Sequence, residues 1–372
     1  MTNVLTLPNV MAGIIILALN AYVLLAGADF GGGIWDLLAS GSQRERQRRL
    51  IARAMGPVWE ANHVWLIFVV VILFTCFPPA FAAITTELHI PLTLMLVGIV
   101  LRGSAFVFRT YDSQRDDVQH RWGLVFSISS LLTPALLGAV IGALASGDAG
   151  IAATLTAPSF RERFVAPWTT PFALAVGAMA LSAFAFLAAV YLTVEAEGEP
   201  ELQRDFRRRA LGAAVAVFAS ALGALLLTVS HAPQMTDVLT RSALALPLQV
   251  VTGLAALTAI GALVGRRYRL ARIAAAAQLS LILWGWAAAT YPYIVPPELT
   301  IESAAAGART LRLTLVSVLC GFVVLIPSLV YLLRIFKSRP AAFAKPLSNV
   351  REIFAQGAPA EPLRLPFHPS RR

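Results

Sequence analysis

Nine stretches of about 20 residues run through this chain almost free of charge, and their spacing constrains the fold more than any other feature. About 20 apolar residues in a helix cross the hydrocarbon of a bilayer, where a backbone without water must satisfy its own hydrogen bonds. The stretches lie at approximately 8–28, 55–77, 80–101, 123–146, 172–194, 210–231, 244–265, 273–295 and 313–335. Each is predicted to be a spanning helix. Pro91, Pro134, Pro247 and Pro327 fall inside them and predict kinks, which neighbouring helices tolerate in a membrane. Composition agrees, since 58% of the 372 residues are hydrophobic and 13% charged, against roughly 45–50% and about 25% in soluble domains. A mean hydropathy of +0.72 leaves too little polar surface to coat a water-soluble particle.

The arginines orient the spans, because short cytoplasmic loops collect Lys and Arg while exported loops do not. Residues 39–53 hold Arg44, Arg46, Arg48, Arg49 and Arg53, and 102–121 hold Arg102, Arg109, Arg115 and Arg121. Residues 195–209 hold Arg204, Arg207, Arg208 and Arg209, residues 266–272 hold Arg266, Arg267, Arg269 and Arg272, and the basic exit begins at Arg334. The opposite side has only Arg161, Arg163, Arg241, Arg309 and Arg312. The N-terminus is therefore expected outside and the C-terminus in the cytoplasm. The net charge of +10 is a record of topology and gives no reason to invoke a nucleic-acid partner.

The first apolar segment lacks a basic leading region and a small-residue cleavage pattern, so it is expected to be retained as a helix. Residues 1–338 form the membrane domain. From 339 a proline-bearing tail with scattered arginines cannot build a core and is expected to be disordered at the cytoplasmic surface. Cys76 and Cys320 both sit in apolar runs and offer neither a disulfide framework nor a metal site.

An ionised side chain at mid-membrane costs roughly 3 kcal/mol on insertion scales, so intramembrane polar groups are functional candidates. Asp29 stands at the cytoplasmic end of the first span, in Gly-Ala-Asp-Phe-Gly-Gly-Gly at 27–33, where glycines allow a backbone or a water file to approach closely. The second cluster opens the second span. At 100° per residue, Trp59, Glu60, Asn62, His63 and Leu66 cover one helical face, with Glu60 and His63 neighbours at i, i+3. An acid, an imidazole and an amide linked by water can take up protons; the same face also suits a static hydrogen-bonded helix start. Arg102 and Arg109 either snorkel to the inner surface or pair with Glu60 or Asp29. Glu87, His89 and His231 lie at outer span ends, and Trp122, Trp168, Trp284 and Trp286 fit an interfacial aromatic belt. A phosphate-binding loop, a dinucleotide fingerprint and a metalloprotease motif are all absent. The chemistry must be conduction, binding of a lipid-soluble ligand, or support of a partner.

These residues resemble subunit II of the cytochrome bd-type quinol oxidases, including the cyanide-insensitive branch. The resemblance rests on the 27–33 string, on Gly-Pro-Val-Trp-Glu-Ala-Asn-His-Val-Trp-Leu at 56–66 and on Phe-Pro-Pro-Ala-Phe at 77–81. Leu-Arg-Gly-Ser-Ala-Phe-Val-Phe-Arg at 101–109 and Tyr-Pro-Tyr-Ile-Val-Pro-Pro at 291–297 extend it, and coverage runs from about 8 to 338. The resemblance implies two four-helix bundles plus a peripheral helix in the bacterial cytoplasmic membrane, and an obligate heterodimer. Subunit I would hold the haem b and haem d groups and the quinol site, and this chain would be haem-free. A small single-span accessory subunit, lipid and a bound quinone are further partners the family admits. Carried over by position, Asp29 and Glu60 match acids of a proton route from the cytoplasm, with Asn62 and His63 beside them. Trp59 matches a tryptophan next to a quinone, and Trp65 one at the mouth of an oxygen path. Val107 stands where the family pattern places an acid before Phe-Arg, so a carboxylate partner for Arg109 is missing. Two rival readings are a proton-coupled transporter, which would show inverted repeats, and a haem-bearing cytochrome, which would want axial ligands deep in facing helices.

Overall fold

A computed structural model describes residues 6–55, 59–111, 116–148, 150, 159–243 and 245–338. In chain order the helices are α1 (Leu7–Leu37), α2 (Arg44–Met55), α3 (Trp59–Cys76), α4 (Pro78–Glu87), α5 (His89–Tyr111) and α6 (Asp116–Ser146). The short α7 (Phe160–Phe164) and α8 (Ala166–Thr169) lead into α9 (Pro171–Glu195). Then come α10 (Pro200–His231), α11 (Pro233–Arg241), α12 (Ala245–Val264), α13 (Tyr268–Thr290) and α14 (Ala308–Ser338). A two-stranded antiparallel hairpin, β1 (Tyr293–Val295) with β2 (Leu299–Thr300), separates the last two helices. Eight described helices are long and apolar enough to cross a bilayer, and α3 with α4 makes a ninth if a pair bent by 119° counts as one crossing.

The elements depart from expectation where glycine and proline act. Expected to end at residue 28, α1 continues through Gly31, Gly32 and Gly33 to Leu37. Glycine inside a helix costs up to about 1 kcal/mol each, and here the absent side chains are what neighbours fill. A Cβ on Gly31 would strike the Phe184 carbonyl, one on Gly32 would meet the Met55 sulfur, and one on Gly33 would meet the Ser130 hydroxyl. The third span does not run over 80–101. Residues 78–87 form α4, started by Pro78 and Pro79, and the span begins only at His89. Proline has no N–H for a continuing ladder, so the chain turns after Cys76, whose carbonyl accepts from the Ala306 N–H at 2.8 Å. Pro91 and Pro247 consequently lie in the opening turns of α5 and α12 and kink nothing; Pro134 and Pro327 are interior to α6 and α14. The eighth span ends at Thr290 instead of 295, because Pro292 has no N–H to continue the ladder and a hairpin follows.

The core is built around α9. From Ala183 to Val190 every residue is buried, as expected of a helix apolar on all sides. Neighbouring helices α1, α6, α10 and α13 pack on it, α3 packs on α1, and α5 packs on α6. Close approach of α6 and α9 depends on small residues, since a Cβ on Gly177 would lie 2.7 Å from the Ala135 carbonyl and one on Gly142 2.7 Å from the Ala173 Cα. The arginine-rich α2 turns Leu50, Ile51 and Met55 inward. Arg46 reaches Glu199 and Glu201 at 3.1 Å, and Arg269 reaches Glu197 at 3.1 Å, so three of the basic segments, 44–53, 195–209 and 266–272, meet. The chain from Met1 to Val318 is one compact unit. Beyond it, α14 continues as helix to Ser338 in a separate unit, and the expected tail lies outside the described residues.

Gly31→Ala should therefore separate α1 from α9 and destabilise the protein by about 1–3 kcal/mol, the usual cost of overpacking. Gly13→Ala, where a Cβ meets nothing within 4 Å, should be neutral or stabilising by up to about 1 kcal/mol. Thermal unfolding of the two variants checks the contrast; equal melting would show that the glycines are not packing devices.

Candidate functional site

The deepest polar feature is a carboxylate facing a guanidinium across three helices. Asp29 of α1 and Arg102 of α5 are 4% and 1% exposed, and Arg102 Nη2 lies 2.7 Å from Asp29 Oδ1. The same nitrogen donates to the Asp29 carbonyl at 3.2 Å, and Arg102 Nε donates to the Ser130 hydroxyl of α6 at 3.0 Å. Ser130 in turn donates to the Phe126 carbonyl at 2.7 Å. Two rings sandwich the guanidinium, Phe30 at 4.7 Å and Phe126 at 5.0 Å, which suits a weakly hydrated planar cation. Arg102 thus does not snorkel; it pairs with Asp29. The acid is also not a helix-end residue, since α1 runs on for eight positions beyond it and α2 folds under it through Met55 against Gly32.

Among the described residues, buried polar atoms without a hydrogen-bond partner include Asp29 Oδ2 of the pair, Asn62 Oδ1 and His63 Nδ1 on α3, and Thr133 Oγ1 on α6. Asn62 is 3% exposed and donates Nδ2 to the Leu25 carbonyl of α1 at 3.4 Å. His63 lies between Tyr22 and Phe30, with ring centroids 6.1 and 6.0 Å away. Phe30 is therefore a neighbour of both the imidazole and the guanidinium. Burying an unsatisfied polar group costs about 1–3 kcal/mol, and such groups are ordinarily met by ordered water. The arrangement can hold water between an acid, an amide, an imidazole and a hydroxyl.

Asn62 and His63 face α1 as their helical spacing predicts. The side chains of Trp59, Glu60 and Arg109, expected on the same face and nearby, lie outside the described residues. Trp65 is partly buried and packs on the cluster of Leu19, Tyr22 and Phe30. Val107 is 38% exposed, pointing away from Arg102's pocket, so it leaves no gap inside this chain. Glu87, expected to be a simple interface acid, is 4% exposed and takes Arg163 Nε and Nη2 at 3.2 and 2.9 Å. Those bonds raise the Arg163 guanidinium above its ordinary pKa. Arg163 and His89 both rest on Phe164, at 4.8 and 4.9 Å. His231 Nδ1 is shared by Ser230 and the Leu227 carbonyl.

Sequence reasoning passed over Ser130, Thr133 and Asp36. A signal existed for each: α6 carries Ser127, Ser129, Ser130 and Thr133, a polar run unusual for an intramembrane helix, and all four are buried. Asp36 follows Asp29 by seven residues, two turns on the same helical face. Elsewhere, a cavity of about 440 Å³ lies among α6, α9, α10, α12 and α13, with walls that include Leu137, Phe172, Phe184, Leu248 and Trp286. It is nearly all apolar and could take a lipid-soluble molecule.

Three comparisons bear on this geometry. The family described as cytochrome bd terminal oxidase subunit II matches residues 7–336. A provisionally named cytochrome bd menaquinol oxidase subunit II of Bacillus subtilis (strain 168) is 24% identical over 333 residues, 85% of this chain and 91% of the relative. The cytochrome bd-I ubiquinol oxidase subunit 2 of Escherichia coli (strain K12) is 25% identical over 191 residues, covering 50% of this chain and 48% of its own. Among solved structures, a chain of the bd oxidase from Geobacillus thermodenitrificans superposes with a TM-score of 0.69 at 25% identity, over 92% of this chain and 100% of that one.

Removing one member of the buried pair should cost far more than removing both. Arg102→Met strands Asp29 and should destabilise by about 3–5 kcal/mol, whereas Asp29→Asn with Arg102→Met should recover most of the loss. Thermal melting of the purified complex reads the cycle; additive losses would mean that the two groups are not coupled.

Proposed function

The chain belongs to the cytochrome bd terminal oxidase subunit II family, and from that premise we propose that it is the haem-free subunit of a quinol oxidase that supplies protons from the cytoplasm. It is a multi-pass membrane protein and one subunit of an oxidoreductase complex. The finer reading places it in a bacterial cytoplasmic membrane with its N-terminus outside, as two four-helix bundles plus a peripheral helix. Its partner is the haem-bearing subunit I, with a small single-span subunit as a further associate.

The observation that carries the proton role is the buried Asp29–Arg102 pair with unpartnered atoms of Asn62 and His63 beside it. Reduction of oxygen to water consumes a proton with each electron. If quinol releases its protons outside while these come from inside, turnover charges the membrane without a pump. Haem b and haem d, when bound in the complex, supply electron transfer and oxygen reduction. This chain's residues hold and move protons. Arg102 sets a positive charge against the Asp29 carboxylate in an apolar setting. The free Oδ2 of Asp29 then accepts from water, and the amide of Asn62 and ring of His63 orient that water toward Glu60. Haem ligation by the partner is part of this same reading. A quinone next to Trp59 and an oxygen path past Trp65 remain part of the proposal by position in the family string.

Glu60→Gln keeps the shape and removes the titration. It should slow steady-state oxygen consumption by about ten-fold or more while haem content and reduced-minus-oxidised spectra stay intact. Asp29→Asn should slow it as well, but with a lower melting temperature, because Arg102 is left without its counter-charge. Wild-type turnover by both variants, with protons still drawn from the cytoplasmic side, would show that these acids are not on the route.

A further inference from the structure

The turn between α12 and α13 carries an arginine where a helix closed in this way ordinarily ends on glycine. Arg267 N–H donates to the Ala262 carbonyl at 2.7 Å and Arg266 N–H to the Leu263 carbonyl at 3.2 Å, a paired closure that leaves one residue in the left-handed region. That residue is Arg266, at φ +57°, and among the described residues it is the one non-glycine with a positive φ. Gly265 stands one position too early to take the place. Left-handed backbone is disfavoured for any residue with a Cβ, so glycine at 266 would close the helix at lower cost. A side chain at this position works against the backbone.

We propose that Arg266 and Arg267 hold the phosphodiester of an anionic phospholipid, in the leaflet that meets this end of the bundle, with the acyl chains lying along α12 and α13.

A cleft of about 300 Å³ opens beside the turn, with walls that include Arg266, Arg267, Arg269, Glu197 and Leu270. Arg266 and Arg267 are exposed and have no ion-pair partner among the described residues. The charges flanking them are matched. Arg269 takes Glu197 at 3.1 Å, and Arg272 lies 3.8 Å from Glu195 with its guanidinium 4.5 Å from the centre of the Tyr191 ring. Two uncompensated guanidiniums in sequence suit a phosphate, because each planar fork can give a pair of hydrogen bonds to its oxygens.

Leu270, in the wall of the cleft, is exposed, as are Val264 before the turn and Ile273 after it. Apolar surface therefore meets the two arginines directly, which fits an amphiphile better than a free anion. Topology alone would account for a basic loop, since Lys or Arg anywhere in it would serve. It gives no reason for a side chain at the single position where the backbone favours none.

The test uses the assembled oxidase in neutral detergent micelles, with phosphatidylglycerol or phosphatidylcholine added and bound lipid counted by native mass spectrometry. The wild type should retain phosphatidylglycerol in preference to phosphatidylcholine. Arg266→Gly should weaken that binding by about five-fold, the effect of one arginine at an anionic surface, and Arg266→Gly with Arg267→Gln by about 25-fold, so that the double variant carries one phosphatidylglycerol fewer. Without added lipid, Arg266→Gly should melt at the wild-type temperature or above it, because glycine suits the left-handed position. Arg208→Gln removes another exposed arginine, on α10, and should leave the lipid count unchanged. An equal loss in Arg208→Gln would reduce the effect to general surface charge and overturn the proposal, as would an unchanged lipid count in the double variant. A fall in the lipid-free melting temperature of Arg266→Gly would make its side chain a fastener of the turn and overturn it too. If millimolar inorganic phosphate displaces phosphatidylglycerol from the wild type, the cleft takes a free anion and the assignment to lipid fails.

Discussion

Asp29 and Arg102 neutralise each other inside an apolar bundle, and much of the surrounding structure follows from keeping that pair satisfied. A buried ion pair returns its desolvation cost only if the geometry is close and the leftover donors and acceptors are met. Here the guanidinium uses four further partners. The Asp29 carbonyl and the Ser130 hydroxyl accept from it, and the rings of Phe30 and Phe126 lie against it. Helix α1 contributes two of these groups and α6 the other two, while α5 carries the arginine. Phe30 also touches His63, so the pair is tied through a single ring to α3.

Such an arrangement needs helices closer than side chains normally allow. The glycines of α1 provide this on three sides: Gly31 toward α9, Gly32 toward α2 and Gly33 toward Ser130. They follow Asp29 directly, so close packing and the buried charge occupy the same two turns. The consequence is a carboxylate whose second oxygen has no partner among the described residues, in a place where water is the cheapest way to supply one. Stability and the proposed proton role therefore draw on the same groups.

Most spans were legible because bilayer thickness fixes their length, and the meeting of the 44–53, 195–209 and 266–272 segments was legible because charge resists burial. Less was legible where one residue's environment is set by another far along the chain. Asp29 and Arg102 are 73 residues apart, and nothing local distinguishes a paired arginine from a snorkelling one. The glycine run read as a helix end because its neighbours were unknown. Pro78 and Pro79 carried the signal for the sharp bend, but an apolar run continued past them and masked it. Ser130 and Asp36 were visible as polar residues in apolar helices, and their meaning came only with the neighbours that surround them. Asn62 and His63 are the converse case, since spacing alone placed them on one face and they do face α1.

The central claim is that the buried polar atoms around the ion pair are joined by water. A structure of the assembled oxidase at a resolution that places ordered water tests it most directly. The account predicts waters within hydrogen-bond distance of Asp29 Oδ2, Asn62 Oδ1 and His63 Nδ1, in one connected file leading toward Glu60. It would be contradicted by finding these atoms bonded directly to partner side chains, with dry apolar packing between them.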